Sequence, residues 1–222
     1  MIDYEVVYSN RKTIGITVER DRKVVVRAPH QANDGAVRSA IQKKQFWIWR
    51  KIRDPQKYPN PTTPKEFIAG ETFLFLGQQH RVVLTRGKTP TVRLEGDHFE
   101  IAREYRSIGG ELFRAWYMLQ AKAKLPERIA AFAAAMGVSY KRIRICDLRY
   151  RWASCTRSGT LTFNWRIIQA PMFVVDYLIV HELAHFLEAN HSREFWNIVA
   201  VHVPSWERAR RWLKQSGSAL EW

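Results

Sequence analysis

Apolar and polar residues alternate through the first third of the chain, and this alternation is the pattern of half-buried β-strands. Three short strands are predicted in this part of the chain, at 4–8, 13–18 and 23–27. A helix follows at 34–53, where apolar residues recur at the spacing of one helical face. Asn33 precedes this helix, and asparagine is among the best N-cap residues. The opening of the chain is therefore predicted to be a small sheet with one helix.

Prolines dominate the next segment, 54–65, which is predicted to be a linker because proline lacks the amide that regular structure requires. Alternating strands then resume at 72–76, 79–85, 91–94 and 98–102, with turns at 77–79 and 96–97. The character of the chain changes near residue 106. The stretch 111–136 is rich in Ala and Leu, and it predicts a long helix or two abutting helices that stop at Gly137.

The C-terminal half combines short strands with helices. Strands are predicted at 142–148 and 160–164, with a loop at 151–155 between them. Three helices follow at 172–189, 192–201 and 205–215. The first of them is apolar on nearly every face, which predicts a buried central helix. The predicted fold class is α+β, with a β-rich N-terminal region with one helix at 1–106 and a helical C-terminal domain with a small sheet at 107–222.

The predicted buried helix carries the HExxH sequence His181-Glu182-Leu183-Ala184-His185. Residues four apart in a helix lie about 40° from one another, so both histidines can present a ring nitrogen to one ion. Glu182 is offset by one residue and can reach a water on that ion. Two imidazoles, a carboxylate base and an open position are the arrangement of a hydrolytic zinc site. The alternative is a helix that merely contains these residues, but unpaired polar groups are costly among apolar side chains.

A catalytic zinc ion takes a third protein ligand, and two residues are candidates. His191 lies six residues beyond His185, on another face of an ideal helix, so the helix must end before it. Asn190 permits such an end because asparagine tolerates the left-handed conformation, and Ser192 can cap the next helix. Glu188 is the alternative, since a continuing helix would place it near the two histidines as a ligand or as a partner of an imidazole.

The net charge of the chain indicates which binding partners it favours, but not which reaction it catalyses. The chain holds 36 Lys and Arg against 21 Asp and Glu, a net charge of +15, and both halves are basic. Such a surface favours nucleic acid, nucleotides, an anionic membrane surface or acidic protein segments, and it is equally compatible with simple solubility. The stretch 141–166 holds seven basic residues and one acid, Asp147.

Cysteine usage and the N-terminus bear on the compartment. Cys146 and Cys155 are too few for a disulfide framework, and free thiols fit a reducing cytoplasm. The N-terminus has no basic start followed by an apolar run, so no signal peptide is expected. The most apolar stretches are shorter than the ~18 residues of a membrane span. We therefore expect a soluble cytoplasmic protein without a membrane partner, in an oligomeric state that the sequence leaves open.

Several segments beyond the HExxH sequence resemble one protein family. They are 190–192, 195–196, 161–165, 176–177, 212–214, 11–14 and 26–29. With them, 151–155 resembles the RWGSC signature of the YgjP-like family of zinc metallopeptidase domains, which is similar to the SprT-like and other small HExxH proteases. Ala153 stands in place of the signature's Gly and would add a methyl group if the chain makes a tight turn there, a departure that bears on the local backbone and not on the metal. The resemblance extends over nearly the whole chain.

The resemblance implies a zincin-like fold for the C-terminal domain and hydrolysis of a protein or peptide substrate. It implies His181, His185 and His191 as Zn²⁺ ligands and Glu182 as the catalytic acid/base. In similar zincins the strand before the metal helix is an edge strand that pairs with the substrate, and that strand is 160–164 here.

A peptidase also needs a positive or hydrogen-bonding group that stabilises the tetrahedral intermediate. The sequence does not choose among four candidates for this role or for substrate contact: Arg151, Arg157, Asn164 and Tyr177. Trp152 and Trp165 could frame the cleft, although aromatic residues are more often core.

Two other functions stay open at this point. The same site could hydrolyse a phosphoanhydride such as a nucleoside triphosphate, although no Gly-rich phosphate loop is present. The basic stretch at 141–166 could instead serve a nucleic-acid-associated binding protein or a DNA-associated protease, although no recognisable DNA-binding motif accompanies it.

Overall fold

A computed structural model describes residues 2–18, 22–53, 64–148 and 151–222. Contacts within the chain divide it into two units, Met1–Thr62 and Thr63–Trp222. The linker predicted at 54–65 falls mostly outside the described residues. The domain boundary expected near residue 106 lies inside the second unit, and it stays a prediction.

The first unit is a three-stranded sheet with one helix. Its elements are β1 (Tyr4–Ser9), β2 (Gly15–Val18), β3 (Val24–Pro29) and α1 (Asp34–Ile52). The central strand β3 is parallel to β1 and antiparallel to β2. The helix begins as predicted, because the Asn33 side chain accepts a hydrogen bond from the Ala36 amide at 2.8 Å. Val26, Val37 and Ile48 are buried in the core of this unit.

The second unit begins with a four-stranded sheet in the order β4-β5-β7-β6. Its strands are β4 (Thr72–Phe75), β5 (Gln78–Thr85), β6 (Val92–Glu95) and β7 (His98–Ala102). Leu76 and Gly77 form the first hairpin turn with positive φ angles of 51° and 84°, as a type I′ turn requires. This turn lies one residue earlier than predicted. The turn predicted at 96–97 is confirmed, with Gly96 at φ 58°.

A single helix of 28 residues, α2 (Gly109–Met136), follows the sheet and continues through Pro126. Every fourth residue from Phe113 to Ala133 is buried, so one side of the helix faces the core over this whole length. The helix ends at Gly137, where φ is 65°, a left-handed closure that glycine adopts without strain.

A second sheet in this unit has three strands, β8 (Arg142–Cys146), β9 (Ala153–Cys155) and β10 (Thr160–Asn164). The order is β8-β10-β9, so β10 is parallel to β8 on one side and antiparallel to β9 on the other. The prediction that 160–164 is an edge strand is therefore wrong, because both of its edges are paired. β9 lies in the segment predicted to be a loop, and among the described residues it pairs with β10 alone.

Three helices complete the second unit: α3 (Met172–Ala184), α4 (Arg193–His202) and α5 (Trp206–Ser216). Short 3-10 helices lie at Arg103–Ile108, Trp165–Gln169 and Gly217–Leu220. As predicted, α3 is buried and central, since it contacts α2, α4 and α5. One hydrophobic core joins the four-stranded sheet to these helices, and Phe99, Phe113 and Ile179 are fully buried in it. The fold is α+β, as predicted.

Among the described residues, no helix is both long enough and apolar enough to cross a bilayer.

Candidate active site

The HExxH sequence lies at the C-terminal end of α3, with His185 as the C-cap residue. The apolar side chains of the preceding turns are almost all buried, and their burial anchors the helix in the core. The ring centroids of His181 and His185 are 5.0 Å apart, so the two imidazoles face the same side as predicted. Glu182 lies between them along the chain and is only 7% exposed.

The helix ends five residues earlier than predicted, at Ala184 rather than at 189. The amides of Phe186 and Leu187 donate to carbonyls three residues back, and these tighter hydrogen bonds close the last turn. Asn190 does not adopt the left-handed conformation that was expected. Instead, the Glu188 carboxylate accepts a hydrogen bond from the Asn190 amide at 2.9 Å and holds the turn together.

The turn between α3 and α4 returns the chain to the two helical histidines. Ser192 caps α4 as predicted, since its hydroxyl accepts a hydrogen bond from the Phe195 amide at 3.2 Å. His191 Nε2 lies 3.0 Å from His181 Nε2. One ring nitrogen from each of His181, His185 and His191 lies within 4.8 Å of the other two, so the structure brings all three together.

The donor set of this histidine cluster fits a zinc ion. Zinc–nitrogen bonds of about 2.0–2.1 Å place tetrahedral ligands about 3.3 Å apart, close to the Nε2–Nε2 distance above. His185 Nδ1 lies 3.3 Å from the Glu188 carbonyl oxygen, and a proton on Nδ1 leaves Nε2 as the lone-pair nitrogen. His181 Nδ1 is buried without a hydrogen-bond partner among the described residues. A shared cation would compensate the close approach of these three ring nitrogens.

Burial and nearby charges keep His181 in the form that a metal requires. Burial, followed by the nearby His185, His191 and Arg210, lowers the pKa of His181 to about 3. Burial is also the main cause that lowers the pKa of His191, with His185 and Arg210 as further causes. His181 is therefore neutral near pH 7, and a neutral imidazole is the metal-binding form.

Aromatic rings hold the histidine cluster in place. Phe195 is fully buried, and its ring centroid lies between 4.6 and 5.0 Å from the rings of all three histidines. Trp196 stacks on His191 at a centroid distance of 5.7 Å and on Trp206 at 4.4 Å. The first turn of α4 and the start of α5 thus position the histidine that lies outside the helix.

Glu182 is oriented by the strand that faces α3. Its carboxylate lies beside the thiol and the main-chain amide of Cys155 on β9. Burial raises the pKa of Glu182 to about 7, against the lowering effect of these two donors and of the Arg151 charge. Burial, and then Glu182, raises the pKa of the Cys155 thiol to about 11. The carboxylate is therefore desolvated and faces two donors beside the histidine cluster.

An open cleft of about 520 Å³ lies over the cluster. α3 and the turn that follows it form one side, and 151–157, which includes β9, forms the other. Two of the four predicted contact residues, Arg151 and Arg157, line this cleft.

The other two predicted contact residues do not line the cleft. Asn164 is fully buried, and its side-chain amide donates to the Leu148 carbonyl at 3.0 Å. Tyr177 is also buried, and it packs edge-on against His181 at a centroid distance of 5.7 Å. Trp165 is a core residue, in line with the expectation for an aromatic side chain here.

Cys155 and Arg210 are two groups near the site that the sequence did not single out for these roles. Arg210 lies on α5, where its charge acts on His181, His191 and Tyr177. The sequence predicts the helix that contains Arg210, but it has no signal for the packing of α5 against α3. Cys155 belongs to segment 151–155, which resembles the family signature. That resemblance drew attention to the segment but did not indicate that Cys155 lies beside Glu182.

Comparisons with known proteins bear on the family of the chain. The chain matches the family described as YgjP-like, metallopeptidase domain, over residues 12–216. Among solved structures, the crystal structure of the metallopeptidase zymogen of Pyrococcus abyssi abylysin is similar at 26% identity, over 38% of this chain and 84% of that chain, with a TM-score of 0.35. A comparison with curated proteins gives no significant match. Because the family match covers far more than half of its length, the chain belongs to the YgjP-like family of metallopeptidase domains.

Proposed function

We propose that this protein is a zinc-dependent metallopeptidase in which His181, His185 and His191 hold the metal and Glu182 is the general base. One observation carries the proposal: three imidazole nitrogens converge within 4.8 Å, beside a buried carboxylate, at an open cleft. Membership of a metallopeptidase family supports the same reaction class.

In the proposed reaction, the metal and the side chains of the protein have separate roles. Zinc, when bound, supplies a Lewis acid that lowers the pKa of water to about 7 and polarises a carbonyl group. Glu182 accepts a proton from the attacking water and delivers it to the amine nitrogen that leaves. The thiol and the main-chain amide of Cys155 face the carboxylate and orient it for both transfers.

One edge of β9 has no partner strand among the residues that the structure describes, and this edge supports an extended peptide as the substrate. The Trp152 carbonyl accepts a hydrogen bond from the Asn164 amide at 2.8 Å, so Trp152 faces β10. Alternation along the strand then directs the main-chain groups of Ala153 and the Cys155 amide to the opposite edge, where the Cys155 amide lies beside Glu182. A substrate that adds a strand there would pass the carboxylate.

Two cationic side chains in the cleft support a role in charge stabilisation and in substrate choice. Arg151 is close enough to Glu182 for its charge to lower the carboxyl pKa, and it is the first candidate for contact with the developing oxyanion. Arg157 lines the same cleft and favours an acidic side chain near the scissile bond. Nucleotide hydrolysis would use the same cations, but it gives no role to the free strand edge.

Metal analysis of matched variants tests the ligand assignment. Wild type is expected to retain one zinc ion per chain, His191→Ala is expected to lose it, and Glu188→Ala is expected to keep it. Glu188 is the matched control because it lies in the same turn as His191, and its carboxylate already has a partner there, the Asn190 amide. Zinc loss in Glu188→Ala together with zinc retention in His191→Ala would reverse the assignment.

Activity assays test the base. Glu182→Gln is expected to keep zinc and to lose peptide hydrolysis by at least about 10²-fold, the range of general-base catalysis. A peptide library and a nucleotide panel, assayed side by side with a chelator control, separate the two hydrolase classes. Chelator-insensitive cleavage, or full activity in Glu182→Gln, would contradict the proposal.

A further inference from the structure

Two aromatic side chains on α1 stand in solvent, outside the core of the first unit. Phe46 is 72% exposed and Trp49 is 49% exposed. Their rings are nearly parallel, with an interplanar angle of 22° and centroids 6.2 Å apart. The helix packs through its other side, where Val37, Ile41 and Ile48 are buried. This pair is therefore not needed for the core, and an exposed aromatic cluster of this kind marks a binding surface.

Positive side chains surround the two rings. α1 holds five Lys and Arg residues against one acid, Asp34, which lies in the first turn and far from the rings. Helical spacing places Lys43, Arg50 and the C-cap residue Arg53 on the outer side of the helix, and all three are exposed. The Arg53 guanidinium lies 4.1 Å from the ring centroid of Trp49. The aromatic–basic face is defined as Lys43, Phe46, Trp49, Arg50 and Arg53.

We propose that the aromatic–basic face of α1 binds single-stranded nucleic acid. Exposed rings stack on bases of any sequence, and neighbouring cations neutralise the phosphates of the same strand. Both chemistries are present on this one helical face, without an acidic side chain among them. An acidic peptide would pair with the cations but would leave the two ring faces without a matching group.

An anionic membrane surface is a poorer match to the same face. A helix that lies in a lipid interface buries a broad apolar side among the acyl chains. The apolar side of α1 already packs against the sheet of its own unit. The large apolar side chains on the outer side of α1 are Phe46 and Trp49, and Lys, Arg and Gln residues lie between and around them. This mixture of aromatic and basic side chains matches a nucleic-acid strand, in which bases and phosphates alternate.

The binding test uses the whole 222-residue chain and a labelled oligothymidylate of about 12 nucleotides, within the roughly 4–16 that a single-strand-binding OB fold covers. Fluorescence anisotropy is expected to show binding that weakens between about 50 and about 200 mM salt. The double variant Phe46→Ala, Trp49→Ala is expected to bind at least about tenfold more weakly, with an unchanged salt slope, since stacking is lost and phosphate contacts remain. Leu119→Ala, at a 63% exposed position of α2, is the matched control and is expected to bind as wild type.

A second variant removes positive charge and leaves the two aromatic rings in place, so it tests the phosphate contacts separately. Arg50→Glu, Arg53→Glu is expected to reduce the slope of log affinity against log salt by about 1.4, because each single-strand phosphate contact contributes about 0.7. Unchanged oligothymidylate affinity in both double variants would overturn the proposal. Ring-dependent binding to phosphatidylserine vesicles without binding to the oligonucleotide would also overturn it and would assign the face to a membrane. Circular dichroism confirms that each variant is folded, and none of these readouts depends on peptidase activity.

Discussion

Replacing Gly77 by alanine tests how closely the first hairpin turn packs against the start of the helix that carries the HExxH sequence. Gly77 has φ 84°, and a Cβ atom there would lie 2.7 Å from Pro171 Cγ and 2.9 Å from Pro171 Cα. Pro171 is the N-cap residue of α3. Since one of these contacts is to main chain, the clash cannot be relieved by rotating a side chain.

Gly70 is a matched control within the same unit. Its φ is 86°, almost the same as that of Gly77, but a Cβ atom there would have no neighbour within 4 Å among the residues that the structure describes. Both amides are hydrogen-bonded, to the Val82 carbonyl at 2.9 Å for Gly70 and to the Gln169 carbonyl at 2.9 Å for Gly77. Both substitutions therefore carry the same cost of a positive φ angle, and only Gly77→Ala adds a steric clash.

The magnitudes follow from these two effects. A left-handed conformation costs a non-glycine residue about 1–2 kcal/mol, which is the whole effect expected for Gly70→Ala. Inserting a methyl group into a packed contact costs about 1–3 kcal/mol more, so Gly77→Ala is expected to lose about 2–5 kcal/mol. At about 2–4 °C per kcal/mol for a chain of this size, the two melting temperatures should separate clearly.

Urea unfolding, followed by far-UV circular dichroism, measures the difference. The midpoint should fall further for Gly77→Ala than for Gly70→Ala at an unchanged m-value, which reports equal surface exposure on unfolding. Equal losses in the two variants, within about 0.5 kcal/mol, would refute the packing argument because the clash is the term that separates them.

Three further outcomes test the site and its surroundings. Phe195→Ala should cost about 3–5 kcal/mol in the free energy of unfolding, since the side chain is fully buried among the three histidines; a loss below about 1 kcal/mol would contradict this packing. Zinc at about a thousandfold excess over its Kd should stabilise wild type by about 4 kcal/mol in thermal unfolding, whereas His191→Ala should show no such gain. Asp97→Ala should shift the pKa of His98 downward in an NMR titration, because the Asp97 hydrogen bond is the main cause that raises it; an unchanged pKa would assign the effect elsewhere.

Local interactions explain why much of the secondary structure could be predicted. Asn33 and Ser192 cap their helices through side-chain oxygens that bond amides three residues on, and Gly137 ends α2 in a left-handed conformation. Each of these contacts lies within a few residues of chain. The two helical histidines follow from the same kind of regularity, since a spacing of four residues sets their common direction.

The edge of the small sheet and the partner of Glu182 could not be predicted, because both depend on contacts between distant segments. Strand order is decided when β8, β9 and β10 pair, and among the described residues this pairing leaves β8 and β9, not β10, at the edges of the sheet. The same pairing places Cys155 against Glu182. No periodic pattern within β9 encodes either outcome, since the strand has only three residues.

The residue types near the cleft, the helical spacing of His181 and His185, and the condition that His191 joins them only after a chain reversal could all be inferred from the sequence. That the reversal occurs, which side chains enclose it, and which strand faces Glu182 depend on the folded chain. The physical reason is range: spacing and capping act over one or two helical turns, whereas burial, strand order and pKa shifts arise from groups that meet only when the chain is folded.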